Sequence, residues 1–321
     1  MKTRVLVFSG PKNAHLEERT IERKSDTELL IENEYSLVSP GTELALYKGT
    51  HIGFSDPDIS WARYPLDIGY AAVGTVVESD RPEIPIGVRV AHYGAHGDMS
   101  IIDPDTLPCV PVPAPIDPEE ACYGRFAQIA YSAVAASVRE YGTVLVFGAG
   151  IVGNLAAQWF REGGFDVWIV DPSASRLDRA AESGLDRRIV TKSSDYEGIR
   201  WKVVPDTIVE ATGVAPVVLD SLELLAPGGQ LILLGSIRHP VEINAYKMIH
   251  RKATALVGAH ETVLGDRRTD VLMDALDRIA RRSLRVQALT SHRITPEELP
   301  ATYDMIDADP DTWFGVCVKW R

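Results

Sequence analysis

The sequence predicts an α/β protein that combines a β-barrel domain with a doubly wound parallel sheet. Short apolar segments punctuated by glycine and proline fill the first third of the chain, which is typical of a small antiparallel barrel. After Pro118, apolar strand segments alternate with helical segments, as in a parallel sheet covered on both faces. We place the barrel domain at residues 1–126 and 261–321 and the parallel-sheet domain at residues 127–260.

The periodicity of apolar residues locates the predicted elements. Barrel strands are predicted at Arg4–Phe8, Glu28–Leu37, Ala72–Glu78, Arg89–Tyr93 and Met99–Ile102. Parallel strands are predicted at Thr143–Phe147, Val167–Val170, Arg188–Val190, Thr207–Glu210, Gln230–Gly235 and Thr254–Gly258. Helices are predicted at Glu119–Val138, Gly153–Gly163, Ser175–Ser183, Ala215–Leu225, Asn244–His250 and Arg268–Arg281. The alternating segment Trp313–Trp320 is expected to pair back into the first domain.

The most informative motif is V-L-V-F-G-A-G-I-V-G at Val144–Gly153. A hydrophobic strand leads into G-x-G-x-x-G, and a helix follows. Gly148 permits the tight turn, Gly150 lets the backbone approach a pyrophosphate, and Gly153 lets the helix pack on the strand. Because the start of a helix offers unpaired N–H groups and a partial positive charge, the motif predicts a dinucleotide site.

Asp171 closes the next apolar run, about twenty residues after the glycines. Its carboxylate is suited to accept hydrogen bonds from a ribose diol and to repel a 2′-phosphate, so we expect NAD rather than NADP as the cofactor. An ordinary strand–turn–helix junction is the alternative, but the strand, helix and acid stand in the required order. Arg176 is expected to pack near the adenosine, with a clamp for a 2′-phosphate as its alternative role.

Further cofactor contacts are expected where the parallel strands end. The carboxyl ends of such strands form the ligand-binding edge of a doubly wound sheet. The expected contacts are Ile151 and Val152 at the start of the helix, and Thr212, Gly213, Gly235 and Ser236 after the later strands.

Composition excludes several classes of function. The chain has 321 residues, of which 45% are hydrophobic, with 33 Lys and Arg against 45 Asp and Glu and a net charge of −12. An acidic chain without a basic stripe is a poor candidate for binding nucleic acid or anionic membranes, so the expected partner is a small-molecule substrate. The three cysteines are scattered and form no C-x-x-C pair, which favours a reducing, cytoplasmic location.

Several motifs together resemble the medium-chain dehydrogenase/reductase superfamily over nearly the whole chain. They are the segments Glu28–Glu43, Tyr64–Glu78, Gly87–Val90, Asp206–Gly213 and Leu225–Gly235, besides the glycine-rich turn. The resemblance implies a GroES-like barrel domain, a Rossmann domain and hydride transfer between a nicotinamide and an alcohol, carbonyl or alkene. It also implies a homodimer, paired near Thr254–Ala259.

Departures from the family pattern concern zinc. Classical alcohol dehydrogenases of this family place a Cys at the position of Pro40, the sequence G-H-E at Gly69, Tyr70 and Ala71, and a third ligand near Arg125. None of these replacements is a zinc ligand set, because zinc requires thiolate, imidazole or carboxylate donors. Three cysteines also cannot supply a four-cysteine structural site. We therefore expect no metal, as in a zinc-independent branch that includes bacteriochlorophyllide hydroxyethyl dehydrogenases, to which the chain is loosely similar.

Without zinc, a side chain must bind the reacting oxygen and move its proton. Tyr70 stands at a zinc-ligand position and is a candidate, with a role as a wall residue as the alternative. His92 and His96, in A-H-Y-G-A-H-G-D, are candidate proton shuttles, with a surface turn as the alternative.

Other pocket residues follow from the resemblance. Thr42 falls at a hydroxyl position that relays protons in alcohol dehydrogenases, and Tyr93 is placed in the substrate pocket. Glu43 and Arg125 are expected there as a structural ion pair first and as catalytic groups second.

The predicted function is NAD-dependent, zinc-independent interconversion of a secondary alcohol and a ketone, on a polyol, sugar, cyclitol or biosynthetic intermediate. One alternative is an alkene reductase of the enoyl or quinone type, against which Asp171 counts. Another is a non-catalytic nucleotide-binding relative, because degeneration would also remove the zinc ligands.

Overall fold

The computed structural model describes residues 1–195 and 197–321 in full, and residue 196 only as part of a helix. The chain forms two compact units. The first unit comprises Met1–Arg125, Leu272–Arg281 and Leu289–Arg321, and the second comprises Phe126–Val271 and Arg282–Ala288. No helix in the described part of the chain is long and apolar enough to cross a membrane.

The chain contains both strands and helices. The strands are β1 Lys2–Gly10, β2 Asn13–Thr20, β3 Leu29–Leu37, β4 Leu66–Asp67, β5 Ala72–Glu78, β6 Arg89–His92, β7 Met99–Ile102, β8 Cys109–Pro111, β9 Thr143–Phe147, β10 Asp166–Asp171, β11 Arg187–Val190, β12 Thr207–Glu210, β13 Gln230–Leu233, β14 Ala255–Gly258, β15 His292–Ile294 and β16 Val316–Lys319. The helices are α1 Thr42–Tyr47, α2 Pro118–Ala121, α3 Tyr123–Ala136, α4 Ile151–Glu162, α5 Ala174–Glu182, α6 Tyr196–Arg200, α7 Ala215–Leu224, α8 Arg268–Ala280 and α9 Leu299–Ala308. Short 3-10 helices lie at Ile52–Phe54, Glu261–Arg267 and Gln287–Leu289, and a π-helix lies at Ala245–His250.

The first unit is built on sheets that are mainly antiparallel. One sheet has the order β15-β16-β3-β5-β6-β8, with β7 also paired to β3, and another has the order β2-β1-β4. Their core includes Phe8, Tyr47 and Tyr303, and the rings of Phe8 and Tyr303 meet edge to face at 4.9 Å. The predicted strands Ala72–Glu78 and Met99–Ile102 have the bounds seen in the structure.

The second unit is built on a parallel sheet of order β11-β10-β9-β12-β13-β14. The strand order reverses between β9 and β12, which start from the same edge and lie side by side. Clefts for ligands form at such a point, outside the carboxyl ends of the strands. The predicted fold class, a doubly wound sheet combined with a separate sheet domain, is confirmed.

Some elements differ from those predicted. β2 was not predicted, because its sequence is polar and it shows no buried face, yet it pairs with β1 along its whole length. α9 was also missed, although Leu299, Thr302, Tyr303 and Ile306 are buried at helical spacing. The helix predicted at Glu119–Val138 is divided into α2 and α3.

Residues 261–271 and 282–288 were predicted to belong to the barrel domain, but they group with the second unit. Hydrogen bonds to the backbone explain the difference. The Gln128 amide donates to the Arg268 carbonyl, and the Arg285 N–H donates to Gln158 Oε1 at 2.6 Å. These contacts join distant parts of the sequence, so local patterning does not reveal them.

A buried polar network joins β3, β6 and β7 in the first unit. The Asn33 side chain donates to the Gly97 carbonyl at 2.7 Å and to Ser100 Oγ at 2.9 Å. His92 Nδ1 accepts from the Gly94 N–H at 3.0 Å, so the ring proton lies on Nε2, which donates to Asn33 Oδ1 at 3.0 Å. Burial lowers the pKa of His92 to about 3, and the ring is therefore neutral in the folded protein.

This network predicts a specific pH dependence of stability. An unfolded histidine takes up a proton below about pH 6.5, whereas folded His92 does not until about pH 3, so folding loses free energy as the pH falls below about 6.5. Between pH 8 and pH 5 the loss due to His92 is about 2 kcal/mol. We expect His92→Gln to remove about that much of the pH dependence of the unfolding free energy, measured by denaturant titration. His250→Gln, at an exposed position, is the matched control, and equal slopes for wild type and His92→Gln would contradict the assignment.

Candidate functional site

The glycine-rich turn between β9 and α4 is tightly packed. Gly148 has a φ of +97°, a conformation that favours glycine. A Cβ atom on Gly153 would lie 1.9 Å from the Gly148 carbonyl oxygen, so no larger residue fits there. A Cβ atom on Gly150, the N-cap of α4, would meet nothing within 4 Å, which leaves that backbone open to a ligand. Ile151 and Val152 form the first turn of α4.

Asp171 ends β10 and is held in a single position. Its Oδ2 accepts from the Ala149 N–H and its Oδ1 from the Ser173 N–H, both at 2.8 Å. Each carboxylate oxygen has a second acceptor position, which is available to a ribose hydroxyl. The Asp171 side chain therefore bonds to the glycine-rich turn and also lines the cavity beside that turn.

A cavity of about 520 Å³ lies against the turn and the carboxyl ends of the strands. Five of the predicted cofactor residues line it, namely Gly148, Gly150, Asp171, Arg176 and Thr212. Further lining residues that sequence reasoning missed are Phe147, Val170, Pro172, Thr191, Lys192, Ser193, Ser194, Ala211, Val214, Pro216, Val217 and Asp220. Residues 191–194 follow the end of β11, and the rule that ligands bind at strand carboxyl ends was the available signal.

A buried acid, Glu210, holds the loop after β12, and this loop packs closely on the loop after β13. Glu210 Oε1 accepts from the Thr212 N–H at 2.7 Å and from the Gly213 N–H at 3.0 Å. Burial raises the pKa of this carboxyl group, and these hydrogen bonds oppose the rise. A Cβ atom on Gly235 would lie 2.4 Å from the Gly213 nitrogen, and one on Gly213 would lie 2.8 Å from the Ser236 carbonyl oxygen. The backbone N–H groups at the start of α4, the Asp171 carboxylate and the closely packed glycines together fit a dinucleotide.

In the first unit, Tyr70 lies among hydroxyl groups and a guanidinium. Its hydroxyl donates to Ser39 Oγ at 2.5 Å and is also hydrogen-bonded to Thr42. The Arg125 guanidinium lies 5.4 Å from the centre of the Tyr70 ring and 4.0 Å from that of Tyr93. Burial, and then the charge of Glu43, raise the pKa of Tyr70, whereas Ser39, Arg125 and Thr42 act in the opposite direction. The phenol is therefore protonated at neutral pH.

Glu43 is almost wholly buried, at 1% exposure. Its Oε2 accepts from the Tyr303 hydroxyl at 2.7 Å and lies 3.2 Å from His96 Nε2. The other oxygen, Oε1, accepts no hydrogen bond from any described residue. The hydrogen-bond partners of the carboxylate are thus a tyrosine and a histidine that the chain brings from distant positions, and the expected pairing of Glu43 with Arg125 stays a prediction.

His96 fixes the turn that carries Tyr70. Its Nδ1 lies 2.7 Å from Ser36 Oγ, which also accepts from Trp320 Nε1 at 2.8 Å. The His96 N–H donates to the Ile68 carbonyl at 2.7 Å, and a Cβ atom on Gly69 would lie 2.5 Å from the His96 nitrogen. This close packing fixes the backbone of Ile68 and Gly69, the two residues that precede Tyr70.

The candidate proton-transfer residues differ in their access to a substrate. His92 and His96 are 1% and 0% exposed, and their ring nitrogens bond to protein groups. This geometry favours a structural role for both rings over direct contact with a substrate. Tyr70, Thr42 and Tyr93 are half-buried, so each has surface that a substrate is able to touch.

The residues at the zinc-ligand positions do not fit zinc. Proline has no donor atom, and the guanidinium of Arg125 is a cation that cannot coordinate a metal. Among the described residues there is no group of three His, Cys, Asp or Glu side chains placed to hold a metal ion.

Comparisons with known proteins agree with this architecture. The family model described as zinc-binding dehydrogenase matches residues 152–279, a stretch that contains none of positions 40, 70 and 125. The 2-desacetyl-2-hydroxyethyl bacteriochlorophyllide A dehydrogenase of Cereibacter sphaeroides is 25% identical over 100% of this chain and 99% of its own length. The D-altritol 5-dehydrogenase of Agrobacterium fabrum is 26% identical over 85% of this chain and 91% of its own length.

Solved structures share the fold. The Escherichia coli galactitol-1-phosphate dehydrogenase has a TM-score of 0.83 at 18% identity, covering 98% of this chain and 99% of its own. An Escherichia coli alcohol dehydrogenase in complex with NADH has a TM-score of 0.82 at 17% identity, and a Sinorhizobium meliloti dehydrogenase bound to NADP has 0.80 at 18%, each covering 99% of both chains. Taken with the motifs and the fold, these likenesses support the similarity of the chain to the medium-chain dehydrogenase/reductase superfamily.

Proposed function

We propose that this protein is an NAD-dependent oxidoreductase that interconverts a secondary alcohol and a ketone without zinc. The observation that carries the proposal is the position of Tyr70, whose half-buried ring bears a hydroxyl bonded to Ser39 and Thr42 and lies beside the Arg125 guanidinium. The names of the relatives, which are bacteriochlorophyllide and polyol dehydrogenases, support an alcohol as the substrate.

The proton chemistry is assigned to the first unit. A protonated phenol is a hydrogen-bond donor, so Tyr70 binds the carbonyl oxygen of a ketone and gives it a proton during reduction. The charge of Arg125 opposes the rise in the pKa of Tyr70, and the same cation stabilises the negative charge that develops on the substrate oxygen. Tyr93, stacked against Arg125 at 4.0 Å, holds the guanidinium in place.

The second unit is assigned the cofactor. Gly148, Gly150 and the first turn of α4 would hold the pyrophosphate, and Asp171 would accept from the ribose hydroxyls. When bound, NAD supplies the acceptor for the hydride of the alcohol. Asp171 favours NAD over NADP because its fixed charge, 4% exposed, repels a 2′-phosphate, although Arg176 and Lys192 line the same cavity.

Tyr70→Phe tests the proposed reaction. The wild type, assayed with NAD and a panel of D-altritol, D-sorbitol and L-threonine, is expected to produce NADH absorbance with at least one alcohol. Loss of the hydroxyl removes the group that moves the proton, so we expect kcat to fall by about 100-fold or more while NADH binding is unchanged. Tyr141→Phe, at a residue that is 79% exposed, is the matched control. Unchanged turnover of the Tyr70 variant would contradict the assignment, and reduction of an enone without any alcohol oxidation would instead favour an alkene reductase.

Asp171→Asn tests the choice of cofactor. Because the change removes the carboxylate charge and one acceptor for a ribose hydroxyl, we expect NADH to bind about 10-fold more weakly and the preference over NADPH to narrow. Isothermal titration measures both dissociation constants, with the exposed Asp178→Asn as the control for net charge. Tighter binding of NADPH than of NADH by the wild type would refute the NAD assignment.

A further inference from the structure

Glu43 has one oxygen that the fold uses and one that it does not. Both donors, Tyr303 and His96, contact Oε2, while the buried Oε1 accepts no hydrogen bond from the described residues. A buried carboxylate oxygen without a donor is costly, because its hydration is lost and not replaced. Such an atom in an otherwise well-bonded cluster calls for an explanation beyond stability.

The surroundings of Glu43 place it beside the reacting groups. Tyr303 approaches from α9 and His96 from the loop after β6, while Tyr70 precedes β5 and Arg125 stands at the start of α3. Glu43 is one of the charges that raise the pKa of Tyr70, which shows that the carboxylate and the phenol are electrostatically coupled. The Glu43 N–H also donates to the Ser39 carbonyl at 3.1 Å, so Ser39, which bonds the Tyr70 hydroxyl, is tied to the backbone of Glu43 just before α1.

A protonated phenol is unable to act alone in alcohol oxidation, because it already carries its proton. It accepts the proton of the alcohol only if it passes its own to another group. Ser39 Oγ accepts from Tyr70, but a serine hydroxyl is too weak a base to keep a proton. A carboxylate is required behind it, and Glu43 is the carboxylate of this cluster.

We propose that Glu43 takes up, at Oε1, the proton that alcohol oxidation releases, after it has passed through the hydroxyls of Tyr70 and Ser39. This inference rests on the proposed function, since it names the proton acceptor of that same reaction. Glu43 does not touch the substrate and acts through Tyr70, as a positioning and proton-holding residue.

The alcohol loses a proton and a hydride by separate routes. The alcohol O–H proton moves to the Tyr70 oxygen, the Tyr70 proton moves to Ser39 Oγ, and the Ser39 proton moves to Glu43 Oε1. The C–H bond of the alcohol carbon breaks with its electron pair, which leaves as hydride to NAD, and the C=O bond forms. The products are the ketone, NADH and a Glu43 carboxylic acid, which returns its proton to solvent along the same hydroxyls. Oε1 accepts no hydrogen bond from Ser39 in the structure, so the proposal requires this bond to form with the substrate in place, as catalytic hydrogen bonds often do.

His96 and Tyr303 set the state of Glu43 in this scheme. Both contact Oε2 and so leave Oε1 as the oxygen that is open to a proton. His96 itself is a poorer acceptor, because Ser36 and Glu43 occupy both ring nitrogens.

Glu43→Gln is the decisive variant, because it keeps the shape and removes the proton acceptor. With the alcohol that the wild type oxidises, we expect kcat to fall by about 100-fold or more at pH 7. The pH profile of kcat/KM should also change shape in the variant, because the proton acceptor of the reaction is removed. A second readout needs no cofactor: the ultraviolet tyrosinate titration of Tyr70, identified by subtracting the Tyr70→Phe spectrum, should shift to lower pH when the charge of Glu43 is gone.

One further test variant and one control variant complete the experiment. Tyr303→Phe removes a donor from Oε2 but leaves the carboxylate, so the pH profile of kcat/KM should shift while kcat stays within about tenfold. Should Glu43→Gln fail to fold, this shift alone decides. Glu119→Gln, at a carboxylate paired with Arg293 in the same unit, is the matched control and should leave the profile unchanged.

The outcomes separate the two proposals. A Glu43→Gln protein that retains wild-type turnover and the wild-type pH profile would overturn the role of Glu43 and leave the proposed function standing. A Tyr303→Phe profile that does not move would likewise count against it. A wild type that oxidises none of the alcohols would overturn the proposed function, and the role of Glu43 with it.

Discussion

The buried carboxylate of Glu43 is the constraint on which the first unit's polar cluster depends. A carboxylate at 1% exposure needs hydrogen-bond donors in place of water, and the fold supplies two to Oε2, from the loop after β6 and from α9. One of these donors, His96, also packs on Gly69 in the turn that carries Tyr70. The position of Tyr70 therefore depends on a residue that contacts the buried carboxylate.

In the proposed reaction, Arg125 and Glu43 together do what a metal does in zinc-dependent alcohol dehydrogenases. A zinc ion offers a positive charge to the substrate oxygen and lowers the pKa of the group bound to it. We propose that here the positive charge is that of a guanidinium held against Tyr93, and that Tyr70 and Glu43 handle the proton. The positive charge and the proton transfer fall to different residues because a guanidinium stays protonated and so serves only as a cation.

The cofactor half was predictable from sequence because its constraints are local. Gly148, Gly153 and Asp171 owe their roles to a turn, a helix start and a strand end that lie within one stretch of chain, and the structure shows the close contacts that exclude larger residues. The partners of Glu43 were not predictable in this way. His96 and Tyr303 are separated from Glu43 by 53 and 260 positions, and no periodicity connects such positions. Burial likewise turned His92 from a candidate proton shuttle into a neutral member of a sheet network, a change that depends on Asn33 and Gly94.

The central claim is that side chains, without zinc, carry the proton chemistry of this protein. The most direct test is metal analysis of purified, active protein by inductively coupled plasma mass spectrometry, with alcohol oxidation assayed before and after exhaustive dialysis against a chelator. The account predicts far less than one zinc per chain, unchanged turnover after dialysis and no gain on adding zinc. Stoichiometric zinc, together with loss of turnover on chelation and its return with added zinc, would contradict the account.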